Sequence, residues 1–233
     1  MRVLWFMESL LTIEAEAKYL LTARDRSYEQ SLKKELSQIL AEAELLFGPR
    51  NSKYELREPL VTDCVTACTV IHPFHMARIY IPHDSKRDRR LASYDLAHEA
   101  IHVLGPAYGV DVTVLEEGLA SYFSLKYMNR VHGVNWDSTS DPKYDAAMRA
   151  VSTLLSKDEF LIKKLRTHQP VLSKIDEKLL VDVAGIEPSD AKFLASDFQS
   201  YWHAEDTWSK AIVEGAKLFA DGFRSIWEQR AKT

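Results

Sequence analysis

Two histidines four residues apart, with a glutamate directly after the first, form the segment His98-Glu99-Ala100-Ile101-His102. On a helix, residues i and i+4 are neighbours on one face. Both imidazoles can then reach a single ion at about 2.0–2.1 Å, and the glutamate between them can hold a water there. The surrounding pattern supports a helix. Tyr94, Ala97, Ile101 and Leu104 form one apolar stripe suited to a core; Leu91, Asp95, His98 and His102 form the adjacent one. The histidines can therefore face a cleft. A catalytic site of this kind needs a third protein ligand and an open position. The residues after His102 offer Tyr108, Asp111, Glu116 and Glu117. Thr113 with Glu116 has the form of a capping box, which would occupy Glu116 and leave Glu117 free in the first turn of its helix. The short loop 105–112 can bring that turn to the end of the preceding helix, where His102 sits. Glu117 is the expected third ligand and Glu116 the alternative. Gly118 costs about 1 kcal/mol in a helix interior, so a close approach of backbone or ligand is expected there.

The segment His98–His102 followed by Glu116-Glu117-Gly118-Leu119-Ala120 resembles the gluzincins, zincin metallopeptidases of the thermolysin and aminopeptidase type. The matching stretch spans about residues 94–123. In several gluzincins the third ligand is the glutamate of an E-G-x-A segment on the next helix, which is Glu117 here. The resemblance implies a zincin-like α+β fold and one zinc ion on His98, His102 and Glu117. It also implies hydrolysis of a peptide or protein substrate, with Glu99 taking the water's proton and passing it to the leaving amine. The aspartate that thermolysin-type members carry four residues after the third ligand is Ser121 here. The group that orients a histidine is thus unassigned, and Asp95, one turn before His98, is a candidate. An oxyanion donor from the later helical part is also implied, with Tyr144, Tyr201 and His203 as candidates. Other readings share the motif. The metzincin pattern would need a histidine where Tyr108 stands, and deformylases use an upstream cysteine in a context that neither Cys64 nor Cys68 has. A zincin-fold protein that binds a partner or regulates, without general proteolytic activity, fits the same residues. So does a helical interaction protein in which the motif is accidental.

The elements that must position these residues follow from periodicity and breakers. Residues 8–47 read as helix, with Leu32, Leu36, Ile39, Leu40, Ala43 and Leu46 as its apolar stripe; Ser27 or Ser31 could divide it, and Gly48-Pro49 stops it. Two strands are expected over 60–71 and 76–81, with His72-Pro73-Phe74 as the break. The second lies just before the active-site helix and is a candidate edge for pairing with an extended substrate. Residues 84–90 read as a solvated, charged connector. Helices are expected over 91–104, ended by Gly105-Pro106, and over 113–131, and then from Asp141-Pro142 to Leu155. Further helices are expected over 157–167, 174–184, 189–201 and 205–230. Trp202, Trp208, Phe219, Phe223 and Trp227 recur in amphipathic helices toward the C-terminus and are expected to be core residues. One predominantly helical α+β domain over 1–233 is predicted, with a small sheet beside the active-site helix and extra helices at both ends.

Composition narrows the setting. Of 233 residues, 46% are hydrophobic and 27% charged, as in an ordinary globular protein, and the net charge of −4 favours neither nucleic acid nor an anionic membrane. No run of about 18 apolar residues could span a bilayer. The opening apolar residues are interrupted by Glu8, Glu14 and Glu16, so no export leader is expected. Cys64 and Cys68 fall in β-branched text; on a strand their α-carbons would be roughly 13 Å apart, too far for a disulfide. Unpaired thiols suggest a reducing, cytoplasmic setting. His72, His75 and His83 read as solvated loop histidines rather than a second metal site.

Overall fold

The computed structural model describes residues 26–62, 64–72 and 75–204. Helix α1 (Arg26–Phe47) falls within the helix expected over 8–47. Leu32, Leu36, Ile39, Leu40 and Ala43 recur at helical spacing and are all buried. The helix runs through Ser31 without a break. Gly48 ends it at φ +94°, a conformation glycine adopts at no steric cost.

The strand expected over 60–71 is two strands. β1 (Glu55–Leu56) and β2 (Leu60–Thr62) are followed by β3 (Cys68–His72) and β4 (Met76–Pro82). β4 is central. β1 and β2 pair with it in parallel, from Glu55↔Met76 and from Leu60↔Tyr80. β3 pairs with it antiparallel, from Cys68↔Tyr80 to His72↔Met76, and so takes the other edge. Between β1 and β2, residues 57–59 stand opposite only Arg78 and Ile79, a bulge at Pro59, which has no N–H for the ladder. Because β2 is parallel and β3 antiparallel to β4, the chain must reverse between them. That reversal breaks the β-branched run and leaves Val65 95% exposed. Cys64 therefore lies outside the strands, and the extended spacing assumed for the two cysteines does not apply; both are half-buried. β4 has both edges filled, so it is not the substrate-pairing edge expected from its position. Among the described residues β3 has no strand on its outer edge, and its Thr69 Oγ1 donates to the backbone oxygen of Glu99, 3.3 Å away.

The charged connector is a structural joint. A 3-10 turn (His83–Lys86) leads to helix α2 (Arg89–His102), whose N-cap is Asp88, accepting from the Arg90 N–H at 2.9 Å. Arg87 faces Asp84 at 3.7 Å, Arg90 faces Asp88 at 2.9 Å, and Arg89 pairs with Glu35 of α1. Helix α2 ends at His102, with Val103 as its C-cap. Gly105 is not in the left-handed region, so it is not the helix-ending glycine expected. A Cβ there would lie 2.4 Å from Pro170 O, so it is glycine because another backbone packs against it.

Helix α3 (Val114–His132) is capped by Thr113 and ends at Gly133, φ +64°. Helix α4 (Pro142–Lys157) is capped by Asp141 with proline in its first turn, as its sequence predicts. The two cross at Gly118, where a Cβ would meet Ala147 O at 2.5 Å. The close approach expected at Gly118 is thus one of backbone. Helix α5 (Leu161–His168), a 3-10 turn (Leu172–Lys174) and α6 (Glu177–Leu179) follow; α6 continues as a π turn (Leu180–Ala184) where one regular helix is expected. The helix expected over 189–201 is split into α7 (Pro188–Ala195) and α8 (Phe198–Ala204). The break has a tertiary cause: Val114 N–H donates to Ser196 O at 3.0 Å and Phe198 N–H donates to Val112 O at 2.8 Å. These bonds form a bridge across the start of α3. One buried cluster, including Ile79, Leu96, Ile101, Leu115, Leu119 and Phe123, joins the sheet to the helices. The described chain is predominantly helical with one four-stranded sheet. No described helix is long and apolar enough to cross a membrane. The helix expected over 205–230, the side chains of Trp202 and His203, and residues 8–25 lie outside the described residues.

Candidate metal centre

The two histidines of α2 and the first turn of α3 converge. His98 Nε2 lies 3.1 Å from Glu117 Oε2, and His102 Nε2 lies 3.9 Å from Glu117 Oε1. One ligand atom from each of the three residues falls within 4.8 Å of the others, making a group that could hold a metal ion. Two donors about 2.1 Å from one ion, at a tetrahedral angle, stand about 3.4 Å apart, and the observed separations bracket that value. The three side chains therefore lie close enough that they could hold one ion. The arrangement follows from local structure. Helix α2 sets His98 and His102 one turn apart, and Thr113 starts α3 so that Glu117 falls in its first turn, where the helix dipole favours a carboxylate.

Glu116 is not held by the cap in the way its sequence suggests. Thr113 accepts from the Glu116 N–H at 3.4 Å, but the Glu116 carboxylate turns away to the metal group. Its Oε1 accepts from His102 Nδ1 at 2.8 Å, and its Oε2 accepts from Ser173 Oγ at 2.6 Å. Glu116 is thus the group that orients a histidine, and its bond to Nδ1 leaves Nε2 to face Glu117. Asp95, the candidate for that role, instead accepts from Ser85 Oγ at 3.0 Å; burial pushes its carboxyl up to about 6, against the Ser85 hydrogen bond. His98 Nδ1 is buried with no partner among the described residues.

Electrostatics follow from the packing of one imidazole against two carboxylates. Burial pulls the His102 imidazole down, but Glu117 and the hydrogen-bonded Glu116 outweigh it and hold it up at about 10. Burial pushes Glu117 up, but His102 and His98 outweigh it and hold the carboxyl below its ordinary range. In the metal-free protein the His102 ion pair contributes its full stability below the ordinary value of 6.5, and that contribution is lost as pH rises through about 10. A metal takes Nε2 without its proton, so between those limits ion and proton compete. Calorimetric zinc titration at pH 8 in buffers of different ionisation enthalpy should register about one proton released per ion. Affinity should rise with pH until about 10. Zinc uptake with no proton release would show that His102 is already neutral at pH 8.

Glu99 follows the first histidine and is 6% exposed. Among the described residues its carboxylate has no hydrogen-bond or ion-pair partner. The metal group is flanked by aromatic rings. Tyr144 of α4 meets the His98 ring edge-on at 5.9 Å, and Tyr94 lies 6.4 Å away. Burial, then Glu117, Asp141 and Glu99, push the Tyr144 phenol up, so it stays protonated; its hydroxyl has no hydrogen-bond partner among the described residues. The α3–α4 crossing at Gly118 carries Tyr144 here, one turn before Ala147. Tyr201 packs on Phe193 at 4.9 Å.

Of the residues singled out in the sequence, His98, His102 and Glu117 are brought together, with Glu99 on the same helix. Among the described residues no second group of metal-ligating side chains forms; His75 meets Tyr54 edge-on at 5.0 Å. Ser173 and Arg166 carry no local signal. Arg166 of α5 is 7% exposed and donates to Leu104 O at 3.0 Å, just beyond the histidine helix. No protein-family model, curated protein or solved structure matches the chain.

Proposed function

We propose that this chain is a zinc-dependent metallopeptidase. The observation that carries the proposal is the convergence of His98, His102 and Glu117 beside a buried glutamate, Glu99, that has no partner among the described residues. Two imidazoles and one carboxylate are the donor set of a hydrolytic zinc site, and three protein ligands leave an open position. When bound, zinc supplies the Lewis acidity that activates water at neutral pH and polarises a carbonyl.

The chain's own residues supply the rest. His98 and His102 hold the ion through Nε2, with Glu116 keeping a proton on Nδ1 of His102. Glu99 accepts the attacking water's proton at its carboxylate and delivers it to the departing amine. Tyr144, protonated and beside His98, donates from its hydroxyl to the developing oxyanion. The outer edge of β3, on which no strand lies among the described residues, is tied to the histidine helix through Thr69 and receives an extended peptide by strand addition. This reading suits a peptide or protein substrate and needs neither nucleic acid nor a membrane.

Elemental analysis of purified protein tests the foundation. The wild type should carry about one zinc per chain, and Glu117→Ala should lose it or bind it at least about 100-fold more weakly. Folded wild type that takes up no zinc on reconstitution would remove the metallopeptidase reading. Zinc bound without turnover on any peptide would instead leave a metal-holding protein that binds a partner.

A further inference from the structure

We infer that Ser173 is a positioning residue of the metal centre, acting through Glu116. The inference rests on the metal-binding reading and goes beyond it, because Ser173 lies 57 residues from Glu116 and touches no ligand atom. The hydroxyl of Ser173 donates to Glu116 Oε2 at 2.6 Å, and the other oxygen of that carboxylate accepts from His102 Nδ1 at 2.8 Å. A carboxylate held at both oxygens cannot rotate away from the imidazole. Glu116 is 4% exposed, so water does not readily replace the hydroxyl. The line Ser173–Glu116–His102 therefore fixes the ring and keeps its proton on Nδ1, which leaves Nε2 as the ligand atom.

Ser173 is itself held by the main chain around it. Its 3-10 turn follows Pro170, whose carbonyl oxygen accepts from Arg166 Nε at 3.2 Å. Arg166 Nη2 also donates to Leu104 O at 3.0 Å, at the end of the histidine helix. Gly105 lets this strap approach, since a Cβ there would stand 2.4 Å from Pro170 O. Leu172, next to Ser173, is fully buried. Three contacts thus set the distance between Ser173 and the helix that carries His102. No other element reaches Glu116 Oε2 among the described residues. The strap gives the C-terminal helical part control over the affinity of a centre built by α2 and α3.

The test compares zinc affinity of wild type, Ser173→Ala and Ser173→Thr by chelator competition, with the thermal midpoint of each metal-free protein as a control. Removing the outer partner of a ligating histidine typically weakens metal affinity by about 10–100-fold. Ser173→Ala should fall by about tenfold in zinc affinity, with a metal-free midpoint lowered by only a few degrees, so that the protein remains folded at the temperature of the titration. Ser173→Thr, which keeps the hydroxyl, should stay within about threefold of wild type. The cobalt-substituted proteins add a second readout: the visible ligand-field bands should shift in Ser173→Ala and not in Ser173→Thr. Unchanged affinity and bands in Ser173→Ala would overturn the inference, and so would equal losses in both variants. Wild type that binds neither zinc nor cobalt would instead overturn the metal-centre reading beneath it.

Discussion

Glu99→Gln should abolish peptide hydrolysis while zinc stays bound. Glutamine matches glutamate in shape, and at 6% exposure the side chain is fixed by its surroundings, so the fold and the three ligands are left intact. What changes is the ability to accept a proton. General-base catalysis contributes about 10²–10⁴ in rate, or roughly 3–5 kcal/mol of barrier. The expected result is a fall of that size in kcat/KM, with about one zinc per chain by elemental analysis as in the wild type. The absence of any partner for the Glu99 carboxylate among the described residues makes the substitution clean. No structural hydrogen bond is lost with the charge, so the usual reason for a mutant's failure is removed. Hydrolysis within tenfold of wild type, with zinc present, would exclude Glu99 as the base. Lost zinc would mean that Glu99 supports the ion itself.

Arg166→Met should be the most destabilising single substitution away from the metal group. The guanidinium has five N–H donors, and five backbone carbonyls receive them. Nη1 donates to Phe47 O at 2.8 Å and Gly48 O at 2.7 Å, and Nη2 to Pro49 O at 2.9 Å and Leu104 O at 3.0 Å. Nε takes Pro170 O at 3.2 Å. These oxygens close the end of α1, follow α2, and begin the strap that carries Ser173. Burial pulls the guanidinium's pKa down, against Glu44 and Glu116, yet among the described residues no carboxylate pairs with it. Carbonyls at helix ends carry partial negative charge and serve as its counter-ion. Methionine fills the volume but leaves several buried oxygens without a donor, each costing about 1–3 kcal/mol. A loss of about 3–5 kcal/mol is expected, lowering the thermal midpoint by roughly 10 °C. The measurement belongs in chelator, where bound zinc adds nothing to stability. Arg166→Lys should recover little of it, since one ammonium cannot span five acceptors. A loss below about 1 kcal/mol for Arg166→Met would show that the carbonyls find other donors.

Local chemistry made part of this protein legible. The spacing of His98 and His102 needs only a helix to become a pair of ligands, and the Ala97 and Ile101 positions mark the buried face of that helix. Thr113, Asp141 with Pro142, and Gly48 act within one turn of themselves, so they mark the ends of α1, α3 and α4 wherever these helices pack. Glu117 was readable because the first turn of α3 follows its cap by a fixed rotation.

Tertiary structure decided what depends on distant partners. Residues 60–71 are rich in β-branched side chains, yet they form two strands, one ending at Thr62 and the next starting at Cys68, because β2 and β3 must meet opposite edges of β4 in opposite directions. The helix expected over 189–201 breaks because Val112 and Val114 offer hydrogen bonds that a continuous helix would refuse. Gly105 looks like a helix stop but is glycine because Pro170 lies against it. Glu116 follows the same rule. Its spacing from Thr113 spells a capping box, while a histidine 14 residues back and a serine 57 residues on claim its carboxylate. The sequence by itself determined that His98, His102 and Glu117 can meet in one group, since this follows from helical rotation and the cap of α3. Only the tertiary structure decided which groups hold them in place. Those contacts join segments that no local spacing relates, and a carboxylate or guanidinium is committed only when its buried partners arrive.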